Sequence, residues 1–143
     1  MRAHHIRVQR DFDLPVAELF EHLSEHERLA DVFGARIERL RDGDTDRNGV
    51  GSVRRLHAPG LPAFEETVTA FTPPELIVYR ITKGTPLDDH EGVMRFSARP
   101  GGGSHLDYDI MLASRIPGLT LLVSKLLGVQ VRRGLAGIDG ASA

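Results

Sequence analysis

The stretch His105-Leu106-Asp107-Tyr108-Asp109-Ile110-Met111-Leu112 alternates between polar and apolar residues more regularly than any other part of the chain. A period of two is typical of a β-strand with one face in a core, and here Leu106, Tyr108 and Ile110 share the apolar face. Soon afterwards, Pro117-Gly118 precedes a long apolar segment with helical spacing. A half-buried strand followed by a long apolar helix predicts a sheet that packs against a C-terminal helix.

Six further runs with strand-like patterns precede this one, and the predicted strands are residues 4–13, 35–41, 50–57, 64–71, 76–83, 90–99 and 105–112. The last six are joined by short loops, which favours antiparallel neighbours because parallel strands need long crossovers. After the first strand, Pro15 begins one short helix. Ser24 and Glu27, spaced as in a capping box, begin a second one that Gly34 closes. The sequence therefore predicts the α+β class, with a curved, seven-strand, mostly antiparallel sheet around a long C-terminal helix.

The chain has 143 residues, no cysteine and a formal net charge of −2. This length suits a single domain over residues 1–143, with an ordered part over residues 4–138. The lack of cysteine excludes disulfides and thiolate chemistry, and the balanced charge argues against a nucleic-acid partner. No signal peptide or membrane span is evident, because residues 119–131 are interrupted by polar positions. We therefore expect a cytoplasmic monomer or homodimer with no metal and no cofactor.

Several short segments together match the pattern of one superfamily. They are Leu14-Pro15-Val16, Gly49-Val50-Gly51-Ser52-Val53-Arg54, Glu66-Thr67-Val68, Pro73-Pro74, Leu76-Ile77-Val78-Tyr79-Arg80, Gly101-Gly102-Gly103 and Ile116-Pro117-Gly118. With them the chain resembles the START-like (SRPBCC) superfamily, and within it the polyketide cyclase/dehydrase and lipid-transport group. The resemblance implies a helix-grip fold with a hydrophobic cavity between the sheet and the last helix. It implies no single chemistry, because the superfamily includes binders, carriers and cyclases.

Once the apolar face of each strand is placed inward, the alternation decides which polar side chains accompany it. Five polar residues are predicted to face the cavity: Arg54, Glu66, Tyr79, His90 and Tyr108. The apolar lining consists of Leu56, Ile81, Met94 and Phe96 on strands, Leu61 and Leu87 on loops at the mouth, and Leu122 and Leu126 on the helix.

An apolar chamber with few polar groups suits a hydrophobic or aromatic small molecule. The leading hypothesis is therefore the binding or carriage of a lipid- or polyketide-like ligand. The alternative is a polyketide aromatase/cyclase or dehydratase, in which Glu66 and His90 form an acid–base pair. A third hypothesis is a protein-interaction module, which an exposed apolar patch on the last helix would indicate.

Each polar candidate also has a purely structural interpretation. Glu66 and Arg54 would form a buried ion pair without a chemical role, and the two tyrosines would be core aromatics. His22 and His26 have the spacing of two metal ligands on one helical face, but no third ligand is evident. For this histidine pair we expect a solvated position on the surface.

Overall fold

The computed structural model describes residues 3–142, with side chains from residue 3 to residue 138. The strands are β1 (Ala3–Phe12), β2 (Arg36–Arg41), β3 (Val53–His57), β4 (Phe64–Thr72), β5 (Leu76–Lys83), β6 (Asp89–Ala98) and β7 (Ser104–Ala113). The helices are α1 (Val16–Ser24), a 3₁₀ turn (His26–Leu29), α2 (Ala30–Phe33) and α3 (Leu119–Ser142). The predicted class and the predicted order of elements are confirmed.

All seven strands form one antiparallel sheet in the order β1-β7-β6-β5-β4-β3-β2. Consecutive strands from β2 to β7 are neighbours, as their short connections require. The first strand is the exception, because β1 pairs with β7 from Ala3↔Ala113 to Phe12↔Ser104. This register places Arg54 opposite Glu66 and Met94 opposite Tyr108 on adjacent strands.

Of the two predicted signals at the ends of the short helices, one is confirmed and one is not. Gly34 closes α2 with φ of 64°, a left-handed conformation that glycine adopts without a steric penalty, which confirms its predicted role. The prediction that Ser24 and Glu27 form a capping box is wrong. Ser24 is the last residue of α1, and its hydroxyl donates backward to the carbonyl of Glu21 at 3.1 Å instead of capping a new helix.

The C-terminal helix packs on the core with a face that the sequence did not identify. Val131, Leu135 and Ile138 are buried, whereas Leu122 and Leu126 are 57% and 65% exposed, so the prediction that these two leucines point into the interior is wrong. The first half of α3 is apolar on both sides, and hydrophobic periodicity indicates the buried face of a helix only when the opposite face is polar. Within residues 3–142, no helix combines the length and apolarity needed to cross a membrane.

Candidate functional site

Five neighbouring strands each contribute one polar side chain to the same face of the sheet. The contributors, in spatial order from β3 to β7, are Arg54, Glu66, Tyr79, His90 and Tyr108. All five are buried, in an interior that is otherwise mostly aliphatic and aromatic. Strand alternation places them together, because each has the same parity as the core residues of its own strand. We call these five residues the polar cluster.

Arg54 and Glu66 form an ion pair inside the protein. Arg54 Nε donates to Glu66 Oε1 at 2.8 Å, and Nη2 stands 2.8 Å from the same oxygen. Their residue surfaces are only 2% and 4% exposed. A pair withdrawn from water to this degree loses hydration that its mutual attraction must offset, so the two charges depend on each other.

The guanidinium of Arg54 also lies beside two aromatic rings. Its Cζ is 4.8 Å from the centroid of Tyr79 and 5.7 Å from that of Phe33, distances typical of cation–π contacts. Phe33, the last residue of α2, was absent from the predicted site. The spacing of Leu29, Val32 and Phe33 at i, i+3 and i+4 was the signal that this short segment turns an apolar face toward the sheet.

The two tyrosines of the polar cluster meet through their hydroxyl groups, which form a hydrogen bond. Burial raises the pKa of Tyr79 well above its ordinary value, and burial likewise raises the pKa of Tyr108. Both phenols therefore stay protonated at ordinary pH, and because one hydroxyl donates to the other, the pair keeps one O–H that can donate elsewhere. Gly92 makes the pair possible, because a Cβ there would overlap the ring of Tyr79.

His90 has a defined protonation state. Its Nδ1 accepts a hydrogen bond from the backbone N–H of Ile81 at 3.1 Å, so the neutral ring carries its proton on Nε2. Burial lowers the pKa of His90, and the nearby Glu66 carboxylate opposes this shift in part. At neutral pH the side chain is therefore an uncharged donor rather than a base.

A second buried histidine lies beside the polar cluster. Ser52 Oγ donates to the carbonyl of Gly49 at 2.7 Å, and His26 Nε2 donates to Ser52 Oγ at 3.1 Å. His26 Nδ1 is buried with no hydrogen-bond partner among the described residues. Burial, together with the charges of Arg54 and Arg39, lowers the pKa of His26 to about 3.

The surface position expected for the histidine pair is therefore wrong for His26. Its side chain is fully buried, while His22 is half-buried in a groove beside α3. Among the described side chains, no three metal-ligating residues are grouped closely enough to hold an ion. Sequence spacing did not reveal this burial, because Ser52 lies 26 positions further along the chain.

The remaining predicted site residues fall into three groups. Leu56, Met94 and Phe96 are buried, Ile81 and Leu87 are half-buried, and Leu61, Leu122 and Leu126 are exposed.

The buried side chains between the sheet and α3 leave almost no accessible surface in the interior. Tyr79, Tyr108 and Met94 each expose 1% or less of their surface. Two grooves of about 310 Å³ lie on either side of α3, one against α2 and one against β1. None of the predicted site residues lines either groove. A ligand held by the polar cluster would therefore need the interior to open.

The comparisons with known proteins agree with this architecture. The family model described as polyketide cyclase / dehydrase and lipid transport matches residues 3–140. No curated protein matches the sequence. Among solved structures, a START superfamily protein from Mycobacterium smegmatis aligns over 98% of this chain and 99% of its own, with a TM-score of 0.80 and 13% identity.

Two further structures are similar over almost the whole chain. The Zhui aromatase/cyclase from Streptomyces sp. R1128 covers 98% of this chain and 91% of its own, with a TM-score of 0.72 and 19% identity. Ara h 8.0201 covers 98% of this chain and 99% of its own, with a TM-score of 0.72 and 17% identity. At these identities the likeness shows a shared fold, and the predicted START-like architecture is confirmed.

Proposed function

Because the chain belongs to the polyketide cyclase/dehydrase and lipid-transport family, we propose that it binds a hydrophobic or aromatic small molecule between the sheet and α3. The ligand is lipid- or polyketide-like, and the polar cluster orients it. Apolar walls supply most of the contact area, and the free O–H of the Tyr79–Tyr108 pair and the Nε2–H of His90 supply the directional contacts.

The observation that carries this proposal is the burial of the Arg54–Glu66 pair within an apolar core. Replacing a buried ion pair by well-packed apolar residues is often neutral or stabilising, so stability alone is a weak reason for keeping one. Charged and titratable groups concentrated in one buried place are more typical of binding and active sites. The clustering of five such groups on one face supports a site there.

Entry of a ligand requires side chains that can be displaced at moderate cost. Val123 and Leu127 on α3 and Leu87 on the β5–β6 loop pack against the core but are only half-buried. Ser114 Oγ, just after β7, donates to Pro86 O at 3.5 Å, so the β5–β6 loop that carries Leu87 lies against the segment that leads from β7 into α3. We place the ligand's path beside these three residues.

Methionine methyl groups provide a direct test. Met94 lies in the core next to Tyr108, whereas Met111 belongs to the opposite face of the sheet. With ¹³C-methyl methionine, titration of N-phenyl-1-naphthylamine, a neutral aromatic dye, should shift the Met94 signal and leave the Met111 signal in place. Dye binding that moves neither signal, or no binding at all, would overturn the proposal.

The protonation state of His90 favours one alternative function, a cyclase or dehydratase in the same place. The Nε2–H of His90 would donate a hydrogen bond to a ketone oxygen while Glu66 removes a proton from the adjacent carbon, giving an enolate held by that hydrogen bond and a protonated carboxyl group. Benzoylacetone in D₂O tests this: the wild type should accelerate exchange of its α-hydrogens, and His90→Asn should slow that catalysis at least tenfold. The matched control, His105→Asn, alters a histidine outside the cluster. Exchange no faster than in buffer would contradict this alternative.

A further inference from the structure

The helix α3 carries a row of apolar side chains on the side that faces away from the core. Leu121, Leu122, Leu126 and Val129 are between 48% and 65% exposed. At 100° per residue, the last three point away from the buried stripe that contains Val131, and Leu121 lies between them and that stripe. We call the side formed by these four residues and the basic residues beside them the outer face of α3.

Between Leu119 and Ile138, the charged side chains of α3 itself are all basic. Between Ile110 and Ile138 the sequence contains no aspartate or glutamate, although the chain as a whole has a net charge of −2. Lys125, Arg132 and Arg133 lie among or just after the exposed apolar residues. An apolar row with basic side chains beside it is the pattern of helices that lie flat on anionic membranes.

We propose that the outer face of α3 docks on an anionic lipid surface. The leucines and Val129 would enter the boundary between headgroups and acyl chains, and the basic side chains would contact lipid phosphates. A second copy of this chain is a poorer occupant, because a two-fold contact through this face would bring Lys125 and Arg133 close to the basic residues of the other copy. The proposal is independent of ligand binding in the interior.

Vesicle flotation measures the expected interaction. Vesicles of phosphatidylcholine with about one-third phosphatidylserine should bind the protein, pure phosphatidylcholine vesicles should bind it much more weakly, and 0.5 M salt should release it, because screening shortens the reach of these charges. Each basic residue near such a surface contributes about a fivefold gain in affinity, so Lys125→Gln with Arg133→Gln should weaken binding by about 30-fold. Leu122→Gln with Leu126→Gln should weaken it by at least tenfold.

Two control variants carry the same chemical changes elsewhere. Leu40→Gln and Arg95→Gln alter exposed residues on β2 and β6 and should leave vesicle binding unchanged. Equal binding to both vesicle compositions, or equal loss in the control variants, would overturn the proposal. So would a wild-type dimer, seen by light scattering, that becomes monomeric in the Leu122→Gln, Leu126→Gln variant, since the face would then be covered by a second copy.

Discussion

The ion pair between Arg54 and Glu66 makes a quantitative prediction about stability. Glu66→Gln keeps the shape of the side chain and an acceptor for Arg54 Nε, but it leaves a guanidinium that is 2% exposed without its counter-ion. Removing one partner of a buried pair costs about 3–5 kcal/mol. Because one hydrogen bond survives, we expect the free energy of unfolding to fall by about 3 kcal/mol. In a chain of this length, that loss lowers the midpoint of thermal unfolding by roughly 10 °C.

The neighbouring residue on the same strand offers a matched control. Glu65 pairs with Arg55 at 3.0 Å in the same register, but the Arg55 side chain is 37% exposed. An ion pair open to water contributes at most about 1 kcal/mol, so Glu65→Gln should lower the midpoint by no more than about 3 °C. Thermal unfolding followed by far-ultraviolet circular dichroism compares the two variants directly.

A double replacement separates stability from binding. Arg54→Met with Glu66→Leu removes both charges and fills the space with apolar atoms, so its midpoint should lie close to that of the wild type or above it. The reasoning is refuted if Glu66→Gln unfolds at the same temperature as Glu65→Gln, because the pair would then be reached by water. If the double variant is stable yet no longer binds the aromatic dye, the ion pair is required for ligand binding and not for stability.

Three further predictions concern His26 and three glycines. His26 has a pKa of about 3 in the folded chain against an ordinary 6.5, so the unfolded state binds the extra proton. Stability should therefore fall by about 1.4 kcal/mol per pH unit from this group as the pH drops from 6.5 toward 3. The free energy of unfolding, measured by urea titration at several pH values, should depend less steeply on pH in His26→Gln, by the contribution of about one proton. An unchanged pH dependence would contradict the lowered pKa of His26. Gly92→Ala should displace the Tyr79 ring, cost about 1–3 kcal/mol and weaken the near-ultraviolet dichroism of tyrosine; an unaltered spectrum would argue against that contact. Gly134→Ala should destabilise the protein, because its Cβ would lie 2.5 Å from the backbone of α2, whereas Gly137→Ala meets nothing within 4 Å and should stabilise α3 by about 1 kcal/mol. Equal unfolding midpoints for these two variants would show that the helix contact is not tight.

Strand alternation was sufficient to predict the polar cluster. A period of two leaves only two choices for each strand, and the strand's own apolar residues decide between them, as Leu106 and Ile110 do for Tyr108. Leu56 in β3 and Val68 in β4 place Arg54 and Glu66 on the apolar side of the sheet, and the register sets the two opposite each other. Their direct contact then follows from the register.

The helical parts of the site could not be predicted in the same way. Leu122 and Val123 are both apolar, and only the packing of α3 against α2 and β1 decides that Val123 faces the core. Ser24 has the spacing of a helix start, yet its hydroxyl bonds to the carbonyl of Glu21 in the turn behind it. Long-range partners such as Ser52 for His26 leave no local pattern in the sequence.

The pairing of β1 with β7 determines when the fold can be completed during synthesis. During synthesis β1 leaves the ribosome about 100 residues before its strand neighbour β7, with Ala3 opposite Ala113. Contacts between such distant residues form slowly, because a long loop must close before they contribute any stabilisation. Until β7 has emerged, Ile6 and Val8 have no neighbouring strand, and β1 is the segment that a chaperone would need to shield.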